Sequence, residues 1–316
     1  GFSHDFGKLE ANRELVEWIR HYNSNPFHQV KIQFYGFDIP SLAAGIASPR
    51  QVLEFALNYL SLIDSKSGQE RGQRINSLLG QDAQWENPAA LTDPTKAIGL
   101  SPEATALRIE TEDLITEFRI RRPEFVALSD KDQYSEALQY ALIARELLNF
   151  HAAIARQLDN AGLLSIRDSL MADNLAYIMA RERSRGKVLV FAHNSHLQRG
   201  KTTLRMGAEV CAWWAAGSHL NEMFGSRYAV IGSAVGVSDD NGIGQPENNT
   251  LEARLTALPG AARFIPTHTG FGIATEEITA LPTRSGSMKN PSYVALTPQS
   301  FTDFDWLAVL NSTVYN

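Results

Sequence analysis

Downstream of Lys187 the sequence breaks into short, largely apolar runs: Val188–Ala192, Tyr228–Ile231, Arg263–Ile265, Tyr293–Leu296 and Trp306–Leu310. A strand with one wet face alternates apolar and polar residues, whereas an unbroken run predicts a strand covered on both faces. Upstream, from Ser48 to Ser184, the pattern is almost wholly helical. Ser48-Pro49 and Ser101-Pro102 supply start signals there, with proline suited to the first helical position. The expected class is α/β: a mostly parallel central sheet flanked by helices, with a large helical insertion at about 48–184, in one domain spanning residues 1–316.

Ahead of the lobe, Leu9–Tyr22 has helical spacing, Val30–Tyr35 alternates as a strand, and Gly36–Pro40 makes a turn. Within the lobe, residues 64–95 are rich in Ser, Gly, Gln, Asn and Asp, which predicts a mobile loop or short surface helices. A long helix is expected over Asp130–Asn160, stopped at Asn160-Ala-Gly162.

Composition excludes several function classes. Lys+Arg 29 against Asp+Glu 35 gives a net charge of −6, and there is no basic run, so nucleic acid is not an expected partner. The single Cys211 cannot form an intrachain disulfide, and no apolar run is long enough to span a membrane. A reducing, cytoplasmic setting is the expectation, with no membrane contact.

In parallel α/β sheets ligands sit beyond the carboxyl ends of strands, which directs attention to Phe191-Ala-His193-Asn194-Ser-His196. Imidazole titrates near neutrality, so His193 and His196 suit a general base, a general acid or a metal ligand; they equally suit a helix cap or a hydrogen-bonded core pair. On the preceding helix, Arg167, Met171, Asn174 and Ile178 share one face, and Arg167 needs a carboxylate partner, with Asp38 and Asp168 the candidates. Such a pair fits a structural brace and a site wall alike. Asp38 ends its own expected strand, where it could orient a histidine, hold a substrate hydroxyl or simply begin a turn. Trp213-Trp214 and the Gly270–Gly272 loop after His268 could wall a pocket or belong to the core.

Familiar devices are missing. Gly232-Ser-Ala-Val-Gly236 has its serine in the wrong place for a nucleophile elbow, and neither a His-Glu-x-x-His run nor a cysteine-rich metal site occurs. Ser195–Thr202 differs from a phosphate-binding loop in lacking the first glycine, which leaves nucleotide binding as a rival reading.

Four stretches taken together resemble the erythromycin esterase family: Glu17–Asn23, Phe34–Asp38, Arg167–Asn174 and Lys187–His196, in that order, with Phe304–Leu310 also similar. The resemblance implies hydrolysis of a macrolactone or related ester by water attack, with a histidine general base and no covalent serine intermediate. It therefore implies a small-molecule ester partner, macrolides included, and a link to antibiotic resistance; no cofactor and no metal-binding residue are assigned, and metal dependence and oligomeric state are left open. By the resemblance His193 and His196 line the cleft as catalytic residues. Asp38, Arg167, Asp168, Asn174 and Asn194 become substrate-binding or supporting groups. The family's general base lies in a Gly-Glu-x-x-His-Gly stretch, and no histidine of this sequence precedes a glycine. The expectation is thus a chain that starts inside the family's domain and is a poor esterase alone, or else an inactive ligand-binding member.

Overall fold

The computed structural model describes residues 6–39, 41–42, 45–207, 209–267, 279–287, 289–290 and 293–313. Two compact units divide the chain, Gly1–Val188 and Leu189–Asn316.

In the first unit α1 (Glu10–Ser24) precedes an extended segment and a two-strand ribbon, β1 (Ser41–Leu42) and β2 (Gly45–Ile46). The helical lobe then runs through α2 (Arg50–Ile63), α3 (Ser65–Leu79), α4 (Asp82–Trp85), α5 (Pro102–Ile120), α6 (Arg122–Leu128), α7 (Lys131–Ala155) and α8 (Asn160–Glu182). Short polar side chains start these helices by satisfying amides that lack a partner in the first turn. Ser101 accepts from the Ala104 amide at 3.1 Å, and Asp130 accepts from both Asp132 and Gln133 at 2.8 Å. Helices α2, α3, α5 and α7 pack on one another around Leu53, Leu60, Ile75, Leu107, Leu114 and Leu147. The rings of Tyr59, Phe118 and Phe125 meet edge to face in the same core, at centroid distances of 5.5–6.0 Å.

Two expectations for the lobe need correction. The first part of the polar stretch is the regular helix α3, because Asp64 caps it through the Ser67 amide at 3.1 Å and Ile75 and Leu79 bury against the core, while the rest, from Asp82 to Lys96, does form short helices. Gly68 lets α3 approach α2 so closely that a Cβ there would lie 2.6 Å from the Ser61 Cα. Likewise Asn160-Ala-Gly162 starts a helix instead of stopping one: Asp159 accepts from the Gly162 amide at 2.8 Å, while α7 has already ended before Gln157, whose φ is +58°.

In the second unit the turn helix α9 (Asn194–Leu197) leads into a hairpin of β3 (Lys201–Met206) and β4 (Glu209–Trp214), followed by α10 (Ala216–Phe224). Next come β5 (Ile231–Val237), α11 (Leu251–Thr256), β6 (Ala262–Pro266), α12 (Ser300–Asp303) and β7 (Trp306–Ser312). The sheet order is β5-β7-β6, with β5 parallel and β6 antiparallel to β7. Leu307, Val309 and Ile265 turn one face toward a small core with Leu251, Leu255 and Phe304. The opposite face leaves Ile231, Trp306 and Phe264 exposed.

The expected mostly parallel central sheet is therefore replaced, among the described residues, by three small sheets with one parallel pair. Val30–Tyr35 and Val188–Ala192 are extended but pair with no described strand, and Tyr293–Leu296 is likewise outside the ladders. An apolar run specifies a strand only where a partner supplies the ladder; without one, Leu189 and Phe191 stand 96% and 80% exposed.

His151 on α7 is buried, with its Nε2 3.0 Å from the Ala47 carbonyl and the Trp85 ring edge-on at 5.0 Å. Burial depresses its proton affinity below the ordinary value of 6.5, outweighing the Ala47 bond and the Glu86 charge, which act the other way. Below that value the unfolded chain takes up a proton that the folded chain resists, so this stabilising contribution is intact above 6.5 and is lost as pH falls through it. Urea unfolding followed by circular dichroism should show the native protein losing stability relative to His151→Gln between about pH 7 and pH 5. Parallel pH profiles for the two proteins would refute this account.

Candidate functional site

Two groups of the expected residues fall in different units. In the first, α8 carries Arg167 and Asn174 on its buried stripe with Met171 and Ile178. Arg167 Nε donates to Asp38 Oδ1 at 2.8 Å while Nη2 donates to Oδ2, a bidentate pair. Burial alone would lower the Arg167 proton affinity, but the Asp38 hydrogen bond and charge, with Asp168 adding its own, raise it instead. The same Asp38 Oδ1 accepts from the Ile39 amide at 2.8 Å, so this carboxylate is held from three sides. Asn174 donates to the Phe37 carbonyl at 3.0 Å and accepts from Gln139 at 2.8 Å. Asp168 is fully buried beside them.

These contacts belong to a longer seam. Tyr35 donates to Glu182 at 2.6 Å, and Arg185 bonds both Glu182, at 2.9 Å, and the Lys31 carbonyl, at 2.7 Å. The segment 31–38 is thereby laced by side chains onto α8 and the turn after it, in reverse chain direction. Asn23, on α1, closes it from the other end through a reciprocal pair of 2.8 Å bonds with the Ile32 amide and carbonyl.

In the second unit His193 is exposed and His196 half-buried, on the turn of α9. The Ser195 amide donates to His193 Nδ1 at 3.1 Å, and the Ser195 hydroxyl lies 2.6 Å from the same atom. An amide can only donate, so Nδ1 must offer its lone pair, and the neutral ring carries its proton on Nε2. Ser195 is itself buried, with its carbonyl accepting from Thr202 Oγ1 at 2.6 Å. Asn194 makes a reciprocal pair with the β5 backbone, donating to the Ser233 carbonyl at 2.8 Å and accepting from its amide at 3.0 Å. Gly217 on α10 abuts the end of the turn so tightly that a Cβ would sit 2.1 Å from the Leu197 carbonyl oxygen. The His196 ring lies 6.5 Å from that of Trp213, which is buried, while Trp214 is exposed. The Gly270–Gly272 loop and His268 lie outside the described residues.

Ser195 and Ser233 entered the sequence reading only through other motifs, and Gly217 not at all, so their supporting roles were missed. Only Ser195 left a signal, as a small polar residue two positions after a capping histidine.

The phosphate-loop reading of Ser195–Thr202 does not survive. Its Gly200 amide donates to the buried Asp303 carboxylate at 2.8 Å, a negative group where an anion would have to sit, and strand β3 follows where a helix is required. Burial, the largest influence on Asp303, raises its proton affinity against the bonds from Gln299 and Gly200. Among the described residues no three His, Cys, Asp or Glu gather to hold a metal ion, and no helix is long and apolar enough to cross a membrane.

The sequence matches the erythromycin esterase family over residues 1–304, and the chain belongs to that family. Solved structures agree on the fold. A Bacillus cereus protein superimposes with a TM-score of 0.70 at 19% identity, covering 96% of this chain and 72% of its own. A histidine-to-asparagine mutant of the erythromycin esterase EreC, in its open conformation, gives 0.67 at 18% identity, covering 96% and 74%. A succinoglycan biosynthesis protein gives 0.66 at 17%, covering 96% and 71%. No curated protein sequence matches the chain.

Two measurements check this geometry. A double-mutant cycle over Asp38→Asn and Arg167→Met should return a coupling of about 1–3 kcal/mol, since both partners are three-quarters buried and doubly bonded; a coupling near zero would mean the pair is incidental. Nitrogen-15 shifts of the neutral His193 ring should show a bare Nδ1 and a protonated Nε2, and should keep that pattern in Ser195→Ala, because the backbone amide remains. A protonated Nδ1 would contradict the cap.

Proposed function

We propose that this chain acts in ester hydrolysis of the erythromycin esterase type, on a macrolactone or related ester. The observation that carries the reading is the fixed tautomer of His193 in a chain of this family. With Nδ1 accepting, the neutral ring carries its proton on Nε2, the atom that would turn to a substrate. When water adds to an ester carbonyl, negative charge develops on the carbonyl oxygen, and the C–O bond to the alcohol then breaks. A neutral imidazole N–H stabilises that charge without itself being a strong acid. His193 is thus the oxyanion donor and another group takes the proton from water. His196, one turn on, is the second catalytic candidate, and Asn194 positions the pair by clamping the turn to β5. Asp38, Arg167, Asp168 and Asn174 act as supporting residues in the first unit.

A second reading, a binding protein that holds the ester without cleaving it, draws support from the sequence, in which no histidine precedes a glycine. Hydrolysis of a macrolide and of a simple aryl ester separates the two, measured with this chain and with a polypeptide extended upstream. Under the hydrolase reading, His193→Ala lowers kcat by about 10²–10³ and His193→Gln, which retains an N–H donor, recovers part of it. Activity indifferent to His193→Ala removes the assignment. Saturable macrolide binding with no turnover by either polypeptide establishes the binding protein.

A further inference from the structure

Within the first unit, α5, α6, α7 and α8 surround an open cavity of about 430 Å³. Arg119 and Arg122 stand on one wall, and Tyr134, Leu138, Leu142 and Tyr177 make the rest of the lining used here. This volume falls in the range of small-molecule sites.

The arginines set the cavity apart. Arg121, between them in sequence, bonds Asp64 at 3.0 Å, Glu117 at 2.8 Å and Glu124 at 2.6 Å. Arg119 and Arg122 have no ion pair or hydrogen bond among the described residues; Arg122 only overhangs the Tyr134 ring, 5.8 Å from its centroid. The C-terminal end of α5 favours a nearby cation, but Arg121 is already there as the capping residue. Two further like charges three positions apart repel each other. Burial raises the proton affinity of the Tyr134 hydroxyl, with the charges of both Arg122 and Arg119 opposing it, so both cations are felt at one point in the cavity.

Of the other polar lining residues, Ser135 adds one small hydroxyl and three are engaged. Tyr134 donates to the Phe118 carbonyl at 3.2 Å, the Tyr177 hydroxyl accepts from Arg181 at 3.0 Å, and Gln139 donates to Asn174. What remains for a ligand is a pair of guanidinium forks and the Ser135 hydroxyl, beside leucine side chains and a tyrosine ring. Guanidinium matches planar or tetrahedral oxyanions, and the apolar floor matches a flat carbon body.

We propose that this cavity is a binding site for a small organic anion, an aryl or alkyl carboxylate or phosphate monoester. The anionic oxygens lie on Arg119 and Arg122, and the apolar body lies against Leu138, Leu142 and the Tyr177 ring. The site does not depend on the hydrolase reading, since none of its lining residues belongs to the His193 turn.

Titration calorimetry of the full chain with phenyl phosphate, benzoate and inorganic phosphate tests it. Phenyl phosphate and benzoate should bind saturably, and phenyl phosphate should bind about tenfold or more tighter than inorganic phosphate. Affinity should fall with added salt, and the double variant Arg119→Gln/Arg122→Gln should weaken binding by about tenfold or more at unchanged helical content. Arg156→Gln, at an arginine outside the lining, should change nothing. Absence of saturable binding, affinity unmoved by the double variant or by salt, or inorganic phosphate binding as well as phenyl phosphate, would each overturn the proposal.

Discussion

An extended backbone must find partners for its amides and carbonyls, and here two such segments find them in side chains. A carboxamide presents one donor and one acceptor in the same geometry as a peptide group, so an asparagine can stand in for a neighbouring strand at one residue. Asn23 does this for Ile32 and Asn194 does it for Ser233. In the first unit the substitution ties segment 31–38 to α1, while Tyr35, the Phe37 carbonyl and Asp38 bind the same segment to α8, Asp38 through Arg167. In the second it fixes the start of α9 to the free edge of β5, and the orientation of His193 follows.

That dependence separates the histidine from its own flexibility. An exposed imidazole ordinarily samples both tautomers and several rotamers, whereas the Ser195 amide holds this one by Nδ1. Ser195 is in turn held through Thr202, and the far end of the turn is wedged by Gly217. Under the proposed reading the donor atom would thus be pre-set by backbone geometry before any substrate arrives, the arrangement that favours stabilising charge that appears only as a reaction proceeds.

The helix starts at Ser48-Pro49 and Ser101-Pro102 and the need of Arg167 for a carboxylate were legible in the sequence, because each is a local rule, whereas the caps at Asp64 and Asp159 were missed. The sheet was less legible. Val188–Ala192 and Val30–Tyr35 have the residues of strands, yet ladder pairing is a relation between distant segments and no local pattern carries it. Helix α3 was hidden for the opposite reason, since its polar residues face solvent and only Ile75 and Leu79 reveal the buried side. The role of Asn194 was legible only as proximity to the histidines, because its partner Ser233 lies 39 residues away.

The position of β7 in its sheet sets an order of events. It lies between β5 and β6 although it follows both in sequence, and β5 and β6 do not pair with each other. As a ribosome delivers the chain, the helical lobe can close on contacts between neighbouring helices while β5 and β6 still lack their common partner. Only when Trp306–Ser312 emerge can the sheet that backs Ser233 form, and with it a firm anchor for the His193 turn. The anchor of the proposed reactive turn therefore waits on a strand far downstream of His193, so whatever delays or removes β7 leaves the histidines without a settled hold on β5.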